Sequence, residues 1–323
     1  MPGITKKIFI WILTAVMLLP IFSLVSFADK GAVELPYLDL PVTMDTMTVG
    51  LRSGSYALTE VSLENRIGSG YSFGYFDITR SFRSLGFTDE TAISMHGDTG
   101  FEVDEDTSVG HVHILLNYYY SGFDNAKETA TMLGGFPAFI NGTFRVLVGS
   151  YSDAESAQMA IDKYCYDATL YSGSSSSIIV TATGTSRILF MYDNAGVHNL
   201  AIKPNSDSQQ AETWFSGYFY RGSFELKRNG SAIDVINYVD LESYVSGVLP
   251  YEMSGSWPIE ALKSQAVCAR TYAINSLNAY SEDGYDVRSD TYSQVYRGIT
   301  EGNDATADAA SSTEDEYVRY KGS

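Results

Sequence analysis

Cysteine, proline and basic charge are all scarce in this chain. Among 323 residues there are two cysteines, Cys165 and Cys268, and eight prolines. So few thiols exclude a disulfide-stapled scaffold. They fall in segments assigned below to different domains and are expected to be buried and free. Lys and Arg number 21 against 39 Asp and Glu, a net charge of −18. A mature chain beginning at Asp29, without Lys6 and Lys7, would carry −20. Such a balance excludes a nucleic-acid protein, whose affinity comes from neutralising phosphates, and argues against docking on an anionic membrane. Histidine is absent after His198; the others are His96, His111 and His113. In residues 220–323 Cys268 is the one cysteine. A Ser-His or Cys-His nucleophile, or a His-ligated zinc, cannot be built there.

Long apolar runs are equally few. One, IFIWILTAVMLLPIFSLVSFA, follows Lys6-Lys7 and ends with Ser26 and Ala28 at the −3 and −1 positions of a cleavage site. It reads as a signal peptide, residues 1–28, with a retained N-terminal membrane anchor as the alternative. Either way the remainder is extracytoplasmic, secreted or wall-associated. Hydrophobic content is 45%, too high for disorder, and the length predicts two or three domains. Tyrosine is abundant at 24 while charged residues make up only 19%. That surface suits neutral polymers such as sugars, although tyrosine also simply fits strands.

Period-2 alternation with Gly-Ser turns predicts short antiparallel strands over 46–78, in a β-rich lead-in covering 29–108. Residues 98–108 read as an acidic connector. Over 109–183 the pattern changes to strand, helix (124–133), strand, strand, helix, strand. Asn141-Gly142 marks a two-residue hairpin, and Ser152 with Glu155 marks a capping box for a helix reaching about Tyr164. The final strand is expected near 169–182. Strands return over 184–219, with a second hairpin at Asn229-Gly230. Residues 241–280 read as helical. Leu241, Tyr244, Val245 and Val248 form the apolar face of a first helix that Pro250 should end. Ser256 and Pro258 should start a second, with Leu262, Ala266, Ala269, Ala273 and Leu277 inward and Cys268 in its core. The fold class is α+β.

The stretch GFPAFI…FRVLVGSYSDAESAQMAIDKY resembles a SPOR domain, the small peptidoglycan-binding module. The resemblance implies a βαββαβ fold whose sheet face binds glycan strands stripped of stem peptides. Tyr118, Tyr120, Phe139 and Arg145, on the expected strands, are candidates there. Alternation requires about half of such residues to pack under the helices instead.

YRGSFEL, VDLESYVSGV, PYEM, SWPIEALKSQAVCARTYA and SQVYRG follow one another over 220–300. Together they resemble the stage II sporulation protein D family, including its LytB-type members. TVGLRSG and the strands around 178–203 fit the β region that precedes it, with the SPOR-like unit as an insertion. The resemblance implies a lytic transglycosylase acting on peptide-free glycan, with Glu252 of the EM motif as the catalytic acid. One carboxylate suffices, because the muramic acid 6-hydroxyl, not water, closes onto C1. Flanked by Tyr251 and Met253, Glu252 is expected to be desolvated; on position alone it could instead be a surface helix cap. Peptide-free glycan keeps lactyl carboxylates, so local cations are needed. Lys263 and Arg270, with Gln265 and Thr271, are candidates for the groove; Arg270 could equally pair with Glu242 or Asp240. Asp290, Ser293, Gln294 and Tyr296 belong to the family's polar motif near the cleft.

Some family members place Cys and His beside the QVY motif, where zinc can sit. DVRSDTYSQVYRG has neither, so no metal and no cofactor are expected. The helix expected near 304–312 is weak, and the family continues beyond the point reached at Ser323, so the 220–323 domain is expected to be C-terminally incomplete. The alternative to an enzyme is a wall-binding modifier that stimulates a separate cell-wall amidase.

Overall fold

The computed structural model describes residues 45–164, 166–207 and 209–319. The basic-apolar segment 1–28 and Cys165 lie outside the described residues. Strands β1 (Thr46–Arg52), β2 (Glu60–Ile67), β3 (Tyr71–Phe76), β4 (Phe82–Thr88), β5 (Ala92–Gly97), β6 (Phe101–Asp104) and β7 (Thr107–Val109) come first. They lead into β8 (Val112–Leu116), α1 (Phe123–Leu133), β9 (Gly135–Ile140), β10 (Thr143–Tyr151), α2 (Ala154–Tyr164) and β11 (Ala168–Ser172). Next are β12 (Ile178–Ala182), β13 (Ile188–Asp193), β14 (Leu200–Pro204), β15 (Glu212–Phe215), β16 (Tyr218–Tyr220), β17 (Ser223–Asn229) and β18 (Ala232–Asp240). The chain then runs through α3 (Leu241–Glu252), α4 (Ile259–Asn275), β19 (Val287–Arg288) and α5 (Asp304–Ser311). This is a strand-rich α+β fold.

The strands form a seven-stranded sheet, β19-β1-β18-β17-β14-β3-β4, and a ten-stranded sheet, β11-β8-β10-β9-β13-β12-β5-β2-β15-β16. One hydrophobic core draws on both. It takes Met47, Val49 and Leu51 from β1, Ile93 and Met95 from β5, Phe190 and Tyr192 from β13, and Leu262, Ala266 and Ala269 from α4. Strands β1 and β18 are each buried over five consecutive residues, Met47–Leu51 and Ile233–Asn237, so this part of the first sheet is covered on both faces.

The βαββαβ unit from β8 to β11 has antiparallel strand pairs in the order 4-1-3-2, the arrangement of a split βαβ fold. Val112, Ile114, Val146 and Val148 pack with Ala126, Ala130, Ala157 and Ile161 of its helices. No linker sets this unit apart: β9 pairs in parallel with β13, so its sheet continues into the rest. The expected acidic connector at 98–108 is in fact the β6–β7 hairpin, whose Phe101, Val103 and Val109 cover Phe136, Ala138 and Leu147 on the face away from the helices.

Local readings are partly revised. Asn141 and Gly142 both have positive φ, 48° and 80°, and close the expected hairpin between Ile140 and Thr143. The second hairpin is offset by one residue, because Asn229 pairs with Ala232 and the turn is Gly230-Ser231. Asp153, not Ser152, caps α2, accepting the Ser156 N–H at 2.8 Å. Pro250 does not stop α3, which continues to Glu252. At the start of α4 the cap position is Pro258, with no side-chain cap bond, and Ser256 lies in the preceding turn. The helix expected to be weak does form as α5, under a capping box between Asn303 and Thr306. Cys268 is exposed, not core: it lies two positions from Ala266, on the opposite side of α4.

Candidate functional site

Helix α3 starts where Asp240 accepts the Ser243 N–H at 2.8 Å. Its buried stripe, Leu241, Tyr244, Val245, Val248 and Leu249, anchors it in the core. Gly247 faces the SQVYRG segment: a Cβ there would come within 2.6 Å of the Gly298 carbonyl oxygen and of the Tyr296 ring. Tyr296 is fully buried, its hydroxyl 2.9 Å from Asn237 Oδ1, with the rings of Tyr220 and Tyr244 on either side at 5.8 and 5.0 Å. The Tyr244 hydroxyl donates to Gln294 Oε1 at 3.2 Å. Gly298, at φ 64°, lets the backbone approach β16, where the Ile299 N–H donates to the Phe219 carbonyl at 2.8 Å. The YRG, YVSGV and QVYRG motifs therefore interlock as a buried aromatic post.

Above that post opens a cleft of about 530 Å³ lined by Tyr218, Pro250–Gly255, Arg297 and Glu301. Glu252, at the C-terminal end of α3, is exposed on its wall. The desolvation expected from Tyr251 and Met253 is not found, since those neighbours do not enclose the carboxylate. Burial, then the Glu301 carboxylate, push the Tyr251 hydroxyl above its ordinary pKa, and that hydroxyl has no hydrogen-bond partner. Arg297 donates to the Tyr218 hydroxyl at 3.1 Å and stacks over its ring at 5.0 Å. A small notch of about 30 Å³ adjoins the cleft through Tyr218 and Arg297 and is lined also by Arg52, Ser216, Ser289 and Tyr296.

Glu252 is the one sequence candidate on the main cleft, and Tyr296 reaches only the adjoining notch. Arg270 is not a groove residue. It is fully buried, donates from Nε and Nη2 to Glu242, and also donates to the carbonyls of Ala310 and Glu316. It thus joins α3, α4, α5 and the segment after α5. Lys263 pairs with Glu260 at 3.1 Å on α4, and Gln265 is half-buried on the same helix. Thr271 Oγ1 accepts the Val318 N–H at 2.9 Å. Asp290 pairs with Arg288 at 2.6 Å, and Ser293 Oγ accepts the Arg288 N–H at 3.1 Å. Gln294 and Tyr296 are buried parts of the aromatic post. Among the described residues, no group of three or more His, Cys, Asp and Glu could hold a metal ion.

In the βαββαβ unit, Tyr118 is exposed, while Tyr120 is half-buried against the helix-side core. Phe139 is buried against Phe144 and Tyr192, and so has no surface to offer a glycan. Arg145 is nearly buried and committed to the carbonyls of Leu116 and Tyr118, with its guanidinium over Tyr119. Sequence reasoning missed Tyr218, Tyr251, Arg297, Glu301 and Arg52. Arg297 had a signal: next to an inward Tyr296 in an extended segment, it must face outward.

Residues 229–320 match the family described as Stage II sporulation protein. An uncharacterized protein of Brachyspira hyodysenteriae is 42% identical over 108 residues, covering 33% of this chain and 29% of that protein. The amidase enhancer of Bacillus subtilis is 28% identical over 224 residues, covering 62% of this chain and 30% of its own length. The chain thus spans less than a third of either relative. These matches support the family resemblance read from the C-terminal motifs. Among the described residues no helix is long and apolar enough to cross a membrane.

Proposed function

We propose that this chain is an exported peptidoglycan-remodelling protein that cleaves peptide-free glycan strands as a lytic transglycosylase, in envelope remodelling such as sporulation. The observation that carries the reading is the exposed Glu252 on an open cleft that Tyr218 and Arg297 also line. In this reading the Glu252 carboxyl gives its proton to the glycosidic oxygen as the C1–O bond breaks. The muramic acid 6-hydroxyl then bonds to C1, and its proton passes to the Glu252 carboxylate. The product is a 1,6-anhydro end and no water is consumed. The βαββαβ unit is proposed as a SPOR-like glycan-binding module, with the exposed Tyr118 as its candidate contact.

A second reading is favoured by a relative's name. Similarity to an amidase enhancer supports a non-enzymatic, wall-binding protein that stimulates a cell-wall amidase. Product analysis separates the two: anhydro ends released from peptide-free strands without an amidase support the enzyme. Stimulated release of stem peptides by an added amidase, with no anhydro ends, supports the enhancer. Glu252→Gln keeps the side chain's volume but has no proton to give. It should lower anhydro-product release by about 10²–10⁴ while the fold persists. Unchanged release by the variant would remove Glu252 as the acid.

A further inference from the structure

The cations expected to meet a glycan's carboxylates, Lys263 and Arg270, are committed elsewhere, one to Glu260 and the other to Glu242. Twelve arginines lie among the described residues. Seven are ion-paired with a carboxylate: Arg66, Arg80, Arg83, Arg187, Arg221, Arg270 and Arg288. Arg145 is spent on two carbonyls, Arg228 donates to the Gly230 carbonyl and packs against Gly97, and Arg319 lies near the end of the described residues. The two that remain, Arg52 and Arg297, line the same notch beside the Glu252 cleft.

Each is held by a neutral hydroxyl and not by an acid. Arg297 Nη1 donates to the Tyr218 hydroxyl at 3.1 Å, and Arg52 Nη2 donates to Ser216 Oγ at 2.7 Å. A guanidinium has five N–H donors in a planar fork, so both keep donors free for a carboxylate. In a chain of net charge −18 that pairs most of its arginines internally, two adjacent unpaired guanidinium groups on a cleft form a local anion site. Tyr251 lines the same cleft, and its buried hydroxyl has no hydrogen-bond partner among the described residues.

We propose that Arg297 and Arg52 form a subsite for a carboxylate-bearing sugar, reading the lactyl carboxylate of a muramic acid residue next to the bond facing Glu252. This inference rests on the glycan reading above and deepens it. The subsite would distinguish peptide-free strands from strands whose lactyl groups are blocked as amides by stem peptides, because amidation removes the charge that both arginines face. It also distinguishes peptidoglycan from neutral N-acetylglucosamine polymers.

The test measures binding by the 323-residue chain to peptide-free glycan strands, to the same strands with lactyl carboxylates chemically amidated, and to a poly(glycerol phosphate). Wild type should prefer native over amidated strands by about tenfold or more, the scale of one charge-assisted contact. Arg297→Gln should lose about that much on native strands and nothing on amidated ones. Arg52→Gln should do the same; if circular dichroism shows that it fails to fold, Arg52→Lys keeps the charge and should retain part of the preference. Equal wild-type affinity for native and amidated strands would overturn the subsite while leaving cleavage at Glu252 standing. Tighter binding to the phosphate polymer would overturn the carboxylate assignment. Failure to bind any glycan would overturn both the subsite and the reading beneath it. Native-strand binding unchanged in both arginine variants would remove these residues from recognition.

Discussion

Arg270 and Arg297 lie in neighbouring C-terminal motifs and meet opposite fates. Arg270, on α4, is fully buried and finds acceptors on Glu242 of α3, on the Ala310 carbonyl of α5 and on the Glu316 carbonyl beyond it. Arg297 follows a buried tyrosine in extended chain and so emerges into the cleft. What holds it there is the glycine beside it. An added Cβ at Gly298 would lie 2.0 Å from the Phe219 carbonyl oxygen, and φ is 64°, where side chains are strained. Gly298→Ala should therefore cost at least about 1–2 kcal/mol, read by urea denaturation. It should also weaken glycan binding, because Arg297 and β16 shift together. An alanine variant as stable as the wild type would mean that the backbone relaxes freely there.

At the scale of elements, the cleft wall depends on how α3 is clamped to α4. The Arg270 side chain is fully buried, whereas that of Glu242 is about a quarter exposed, at 27%. Removing the glutamate leaves an uncompensated buried charge, so Glu242→Gln should destabilise the protein by about 3–5 kcal/mol, measured by chemical denaturation. Glu242 does not line the cleft. The folded variant should therefore bind glycan like the wild type, which separates this clamp from a recognition role. Pro250 is tolerated in the last turn of the same helix. Proline removes only the bond its own N–H would make, and the helix still ends on a bond from the Met253 N–H to the Leu249 carbonyl, in which Pro250 takes no part.

At the scale of the whole molecule, the βαββαβ unit is bound into the scaffold core. Phe123, the first residue of α1, sits edge-on to Phe73 and Phe190, and a Cβ on Gly86 would collide with its ring. Phe123→Ala should cost about 3–5 kcal/mol and still give a single unfolding transition. Two separated transitions would show the unit to be energetically independent. Several aspartates held below their ordinary pKa, Asp77, Asp104, Asp153, Asp193 and Asp286, contribute acid sensitivity, and Asp286 is the one buried in an ion pair. Burial alone would raise the Asp286 pKa, but hydrogen bonds from Arg80 and from the backbone N–H groups of Asn278 and Thr48 bring it below its ordinary value. A depressed carboxylate contributes stability that is present above its unfolded pKa, about 3.9, and is lost as pH falls through the folded value. Glu225, raised chiefly by burial, acts in the opposite sense. Unfolding free energy should fall with pH below about 4. The fall should be shallower in Asp286→Asn, and an identical acid limb in that variant would assign the sensitivity to other carboxylates.

Local physics was legible in the chain itself. The period-3.6 stripes of α3 and α4, the Asn141-Gly142 turn and the strand-helix-strand-strand-helix order each follow from neighbours a few residues apart. Glu252, singled out from a contiguous motif, lies at a helix end on the cleft wall. Tertiary structure alone decided which polar residues remain free. The Arg270–Glu242 pair joins positions 28 apart, Asp286 reaches Thr48 across 238, and Arg52 meets Ser216 across 164. A guanidinium's role depends on whether an acid lies within reach, and that depends on strand pairings set far away in the chain. The burial of Phe139 and the exposure of Cys268 were decided in the same way. An apolar run says that residues can be buried, but only the packed neighbours determine which side of the helix or strand they cover.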